Sequence, residues 1–328
     1  MRRILVTGAL GQIGSELVPA LRDRYGADRV VATDVRMHTF STDGEAADRE
    51  AADGDGPFAY VDCVHIRQIA DVVQRYDVGT IYHLAALLSA VAEEKPREAW
   101  DVNMGGLYRV LEVAREHACA VFFPSSIGAF GPSTPRDQTP QDTIQRPTTI
   151  YGITKLSAEL LCDYYAQRFG LDTRGLRLPG LISYVAPPGG GTTDYAVQIF
   201  HQALRYQHYT CFLRADTCLD MMYMPDATRA MIELMETDAS RLLHRNAFNV
   251  SAASFTPAQL ADEIRLHVEG FAMDYDVDPV RQKIADSWPD SVDDRAAREE
   301  WGWEPEWDLP SMTRDMLHNL RLRLGSAS

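Results

Sequence analysis

Tyr151 and Lys155 bracket the run Tyr151-Gly152-Ile153-Thr154-Lys155, a spacing that puts both side chains on one face of a helix. A free phenol titrates near ~10 and is a poor base at neutrality. An ammonium one helical turn away stabilises the phenolate and makes the tyrosine a usable proton acceptor. The same spacing also describes a surface helix with a lysine stem lying along it. The pair therefore takes its meaning from its surroundings.

The second group is Gly8-Ala9-Leu10-Gly11-Gln12-Ile13-Gly14. Glycine permits a tight turn with positive φ and lets the backbone come close to a ligand. A helix beginning near Gln12 would present unpaired N–H groups and the positive end of its dipole to an anion. The apolar run Arg3–Thr7 stands directly before this turn, and Asp34 closes the next strand-like run. That context is the dinucleotide fingerprint. Gly8, Gly11, Gln12, Ile13 and Gly14 are expected to cradle a pyrophosphate. Asp34 is expected to accept from the adenosine ribose and repel a 2′-phosphate, which favours NAD over NADP. Arg36 works against that preference. The positive nicotinamide ring of NAD would lower the phenol of Tyr151 further.

Short apolar runs and amphipathic stretches alternate over the first half to position these groups. Strands are expected at 3–7, 30–34, 58–61, 80–84, 120–124 and 173–178. Helices are expected after Gly11 (Ile13, Leu17, Val18 and Leu21 on one face) and at 65–75, 97–117 and 151–169. The polar stretch 36–57 reads as loop. This alternation predicts an α/β, Rossmann-like, doubly wound parallel sheet with ligands at the strand C-termini. After Leu178, prolines and the triplet Gly189-Gly190-Gly191 break the rhythm, and shorter elements are expected. The expected organisation is an NAD-binding domain over 1–178, re-entered by the chain near 217–250, and a smaller substrate-binding domain over 179–328.

The 328 residues carry a net charge of −15, a field that disfavours nucleic acid and anionic membrane as partners. Cys63, Cys119, Cys162, Cys211 and Cys218 are scattered, without zinc spacing, and read as reduced thiols. The nine histidines show no metal spacing, so no metal is expected. His83 and His201 read as structural or surface groups, and Met221, Met222 and Met224 as core filling. No apolar run reaches membrane length, and the first strand begins near Arg3; a cytoplasmic location is expected.

The spacing G-x-x-G-x-x-G, with Asp62, Leu84-Ala85-Ala86, Asn103, Ser125-Ser126, Tyr151, Lys155 and Trp301-Gly302-Trp303-Glu304-Pro305, resembles the extended short-chain dehydrogenase/reductases over nearly the whole chain. The segments Ala85-Ala86-Leu87-Leu88-Ser89 and Arg177-Leu178-Pro179-Gly180, with Gly189 to Ala196, resemble the metal-independent, short-chain L-threonine 3-dehydrogenases of that type. The resemblance implies that Asp62, Cys63, Leu84, Ala85, Ala86, Asn103 and Leu178 join the cofactor site, and that Lys155 also holds the nicotinamide ribose. It implies that Ser126 holds the reacting oxygen, Ser125 being an ordinary turn serine. It further implies that the glycine segment closes over an amino acid bound by Ser89, Ser126, Tyr151, Thr192, Thr193 and Asp194. Asp194 is expected to bind the substrate ammonium, to hold the loop in its closed form, or to cap the following helix. The expected reaction is oxidation of L-threonine at its β-hydroxyl to 2-amino-3-oxobutanoate with NAD reduced, by a homodimer pairing through 97–117 and 151–169.

Two alternatives stay open. A nucleotide-sugar epimerase or dehydratase shares the fold, but Leu219 stands where an arginine would clamp the diphosphate. A non-catalytic NAD sensor would need no Ser126, Tyr151 and Lys155.

Overall fold

The computed structural model describes residues 2–36, 56–186 and 189–325. Most of the loop expected over 36–57, and Pro187 and Pro188, lie outside the described residues.

The first half alternates as the periodicities require. Strands β1 (Arg3–Thr7), β2 (Val30–Asp34), β3 (Phe58–Tyr60), β4 (Val78–His83), β5 (Ala120–Ser126) and β6 (Thr173–Leu178) are interleaved with helices α1 (Gly14–Tyr25), α2 (Ile66–Arg75), α3 (Ser89–Glu94), α4 (Pro96–Ala99), α5 (Leu107–His117) and α6 (Ile150–Phe169). There follow β7 (Gly180–Ile182), α7 (Tyr195–Tyr206), β8 (His208–Cys211), β9 (Leu219–Tyr223), α8 (Met224–Glu236), β10 (Phe248–Asn249), β11 (Ala253–Phe255) and α9 (Pro257–Arg265). The chain ends with β12 (Ala272–Tyr275), α10 (Pro279–Ala285), α11 (Arg295–Trp301) and α12 (Leu309–Gly325).

Seven strands form a parallel sheet in the order β10-β6-β5-β4-β1-β2-β3. Successive residues of a strand face opposite sides, so Ile4 and Val6 pack beneath α1, α8 and α11, whereas Leu5 and Val31 pack beneath α2, α5 and α6. The strand order reverses between β1 and β4. That switch point is where a doubly wound sheet opens a crevice at its C-terminal edge.

Beyond Leu178 the chain builds a second lobe. It contains the sheet β11-β9-β7, the pair β12-β8, and a core of Tyr195, Phe200, Leu219, Leu260, Met316 and their neighbours. The chain also returns to the first lobe. β10 pairs with β6, α8 packs on α1, and Trp301 and Trp303 bury themselves against the large sheet. β9 lies within 217–250 but belongs to the small sheet.

Two expectations need correction. The helix expected over 97–117 is continuous but not regular: α4 runs into a π-helical stretch over 100–106, and the α-helical pattern resumes as α5 at Leu107. Asn103 gives the reason. Its side chain accepts from Leu87 N at 2.8 Å and donates to Leu87 O at 3.2 Å and to Thr154 Oγ1 at 3.3 Å. The extra residue of a π turn is how a helix reaches such partners. The later elements are also not uniformly short, since α12 has 17 residues.

Candidate active site

One cavity of about 1200 Å³ opens at the switch point, lined from Gly8 to Gly14, from Leu84 to Ser89, by Ser126, Tyr151 and Lys155, and from Gly191 to Asp194. Gly8 turns with φ 70, and a Cβ there would lie 2.8 Å from Ala85 N, so β1 and β4 can converge only on a glycine. Ile13 starts α1 with no side-chain cap. Ser15 N and Glu16 N are already bonded to Gly11 O and Ile13 O, so a pyrophosphate would meet the N–H groups of the turn ahead of them. The cradle therefore fits the dinucleotide read from the sequence.

At the adenosine end, Asp34 is 4% exposed. Its Oδ1 accepts from Arg36 N and Nε, each at 3.0 Å; its Oδ2 accepts from Leu10 N at 3.0 Å and Arg36 Nη2 at 3.2 Å. Burial pushes this carboxyl up, but Arg36 and the two backbone donors outweigh it and hold it below the usual range. A carboxylate offers about four acceptor positions. All four are taken, so a ribose hydroxyl reaches Asp34 only by displacing Arg36 or Leu10. Asp62 and Cys63 line the same end; the Asp62 carboxylate accepts from Val64 N at 3.0 Å.

The opposite end holds Ser126, Tyr151 and Lys155. Thr149 caps α6 through Gly152 N at 3.0 Å. Gly152 sits so close to the turn after β5 that a Cβ there would come 2.2 Å from Gly128 O. Tyr151 is thereby laid against Gly128, next to Ser126, whose Oγ accepts from Gly128 N at 3.1 Å. Lys155 Nζ stands 5.5 Å from the Tyr151 ring centre and donates to Pro124 O at 2.6 Å.

The electrostatics depart from the sequence expectation. Burial pushes the Tyr151 phenol up to about 12, with Ser126 pulling the other way. Burial pushes Lys155 down to about 7, opposed by Glu159. In the chain by itself the lysine does not make the tyrosine a neutral-pH base.

The glycine segment lies closed. Ser89 Oγ meets Thr192 Oγ1 at 3.1 Å and accepts from Thr192 N at 3.3 Å, and Ala90 N donates to Gly190 O at 3.3 Å. Asp194 Oδ2 accepts from Gly190 N at 2.8 Å and Gly191 N at 2.9 Å. Asp194 makes no side-chain cap on α7. It folds the loop instead, and burial raises its carboxyl above the usual range against those two donors.

The cavity thus gathers every expected site residue except Asn103, which stands behind the wall and holds Leu87. Sequence reasoning missed Val91, Lys95, Arg97 and Trp288 as lining groups. Trp288 follows α10 in the second lobe, and no local pattern marks it. Arg177 and Glu159, both buried, were also unassigned; for Glu159 the i+4 spacing from Lys155 was a usable signal, and for Arg177 no local pattern was. His83 donates or accepts at Thr7 Oγ1, 2.8 Å away, and burial pushes it down to about 3, so it is a neutral structural group. Among the described residues no cluster of side chains could hold a metal, and no helix is long and apolar enough to cross a membrane.

Comparison with known proteins gives the family. The profile of the NAD dependent epimerase/dehydratase family matches residues 4–251. An uncharacterized epimerase/dehydratase of Staphylococcus haemolyticus is 52% identical over 317 residues, 97% of each chain. Among solved structures, the L-threonine dehydrogenase of Clostridium difficile superposes with a TM-score of 0.92 at 52% identity, covering 98% of each chain. A monomeric L-threonine 3-dehydrogenase from a metagenome gives 0.91 at 43%, covering 98% of this chain and 99% of that one.

Proposed function

This chain belongs to the NAD dependent epimerase/dehydratase family, and from that premise we propose that it oxidises L-threonine at the β-hydroxyl to 2-amino-3-oxobutanoate. The observation that carries the reading is the loop closed on Ser89. It brings Ser89, Thr192, Thr193 and Asp194 into one cavity with Ser126 and Tyr151. Short hydroxyls and a single carboxylate suit the carboxylate, ammonium and hydroxyl of a small amino acid. A nucleotide diphosphate would require a guanidinium clamp, and Leu219, at the position in question, is fully buried in β9.

NAD supplies the hydride acceptor and the positive ring charge. Tyr151 takes the hydroxyl proton as the substrate carbon becomes a carbonyl. Ser126 holds the reacting oxygen beside Tyr151 Oη. Lys155, held as an ammonium, stabilises the phenolate and binds the nicotinamide ribose. Asp194 and the loop shut water out and orient the substrate.

Protein incubated with NAD and L-threonine should produce NADH, followed at 340 nm. Epimerisation of a UDP-hexose without net NADH would instead establish the sugar-nucleotide reading, and NAD binding without turnover of either would leave the sensor reading. We further propose a homodimer. Trp100, Tyr108, Leu160 and Tyr164 are each about half exposed on the surface of the π-helical stretch, α5 and α6, an apolar face a second copy would cover.

A further inference from the structure

Lys155 is 4% exposed, and its ammonium faces the rings of Phe123 at 4.6 Å and Tyr151 at 5.5 Å, with Pro124 O as its hydrogen-bond acceptor. Among the described residues no carboxylate forms an ion pair with it. The nearest turn of α6 nevertheless carries Glu159, four residues on and also 4% exposed. That carboxylate is fixed from three sides. Ser125 Oγ donates to Oε1. Arg177 donates from Nε to Oε1 at 3.1 Å and from Nη2 to Oε2 at 2.9 Å. Gln145 Nε2 donates to Oε2 at 3.2 Å. Arg177 is itself tied to Gln141 O at 2.7 Å and Asn249 Oδ1 at 3.1 Å.

A buried anion held this firmly costs desolvation, and a hydrophobic pair would hold β5, α6 and β6 together without that cost. What an apolar pair could not supply is a negative charge one turn from a buried lysine. We propose that Glu159 is the charge partner that keeps Lys155 an ammonium, and that Ser125, Gln145 and Arg177 hold it in that place. Glu159 is thus a positioning residue acting through Lys155. The claim rests on the reading that Tyr151 and Lys155 perform the proton transfer.

Among the described residues, the charged and titratable groups facing Lys155 are few. Tyr151 and Glu159 come from its own helix. β4 contributes His83, kept neutral by burial, and Arg177 of β6 adjoins through Glu159, to which it is paired. β5 contributes only neutral groups. Removing the Glu159 charge therefore leaves Lys155 with burial and the Arg177 cation, both of which favour loss of its proton.

The test compares Glu159→Gln, the charge-retaining Glu159→Asp, and the double variant Glu159→Gln/Arg177→Gln, which leaves no unpaired guanidinium should the single variant fail to fold. Two pH titrations are read: the alkaline limb of kcat/KM for L-threonine, and the alkaline loss of NADH binding followed by fluorescence. Both limbs should move to lower pH by roughly one unit, a tenfold loss of proton affinity, in Glu159→Gln. They should move the same way by less in the double variant, and stay in place in Glu159→Asp. Limbs that stay in place in the variants lacking the charge, or that move equally in Glu159→Asp, overturn the proposal. If wild type gives no NADH with L-threonine, the functional reading fails, and the binding titration still decides the role of Glu159.

Discussion

At the scale of single residues, the site is a pair of groups that burial has pushed in unhelpful directions. Tyr151 goes up to about 12 and Lys155 down to about 7, so in the chain alone burial favours the uncharged form of both groups. In the proposed mechanism the positive charge of the bound cofactor offsets the shift of Tyr151. Substituting Tyr151→Phe should lower kcat by roughly 10²–10⁴-fold, the usual worth of a general base, while NADH fluorescence titration shows the cofactor still bound. Wild-type turnover in that variant would remove Tyr151 from the mechanism. The depressed lysine also affects folding. Between about 7 and the ordinary 10.5 the unfolded chain binds a proton at Lys155 that the folded chain has lost. Through this group, stability therefore rises with pH across that window. Urea midpoints measured from pH 7 to 10 should rise less steeply in Lys155→Met than in wild type. Equal slopes would mean that burial does not depress this lysine.

At the scale of elements, two close approaches position the chemistry. The first is α6 on the turn after β5, where Gly152 leaves no room for a Cβ against Gly128 O. Gly152→Ala should cost about 1–3 kcal/mol in urea unfolding and displace Tyr151 from Ser126, so kcat falls as well. An unchanged midpoint would show that α6 can move without penalty. The second is the loop folded by Asp194. In Asp194→Asn one acceptor oxygen remains for Gly190 N and Gly191 N, whereas Asp194→Ala has none. A KM for threonine raised only in the alanine variant assigns Asp194 to loop folding; a KM raised equally in both assigns it to the substrate ammonium. The strands, the glycine turn and the Tyr151–Lys155 face were legible because periodicity and short spacings are local properties. The π-helical stretch was not, since its cause is a contact from Asn103 back to Leu87. Nor was the filling of Asp34 by Arg36 and Leu10, which depends on where the turn after β1 passes β2. Trp288 reaches the cavity from the second lobe, and only the folded chain brings it there.

At the scale of the whole molecule, the parallel sheet places cofactor cradle and proton acceptor along one edge, and the second lobe contributes the loop that completes the cavity. The exposed aromatic and aliphatic groups of the π-helical stretch, α5 and α6 predict association. Light scattering after gel filtration should give twice the 36.7 kDa chain mass, and Leu160→Glu with Tyr164→Glu should give the single chain. A wild-type monomer would leave that face to another role. The central claim is that this cavity transfers hydride from the β-carbon of threonine. L-threonine carrying deuterium at that carbon tests it most directly, with the reduced cofactor examined by mass spectrometry. The account predicts one deuterium in the NADH formed; reduced cofactor without the label, or none formed at all, would contradict it.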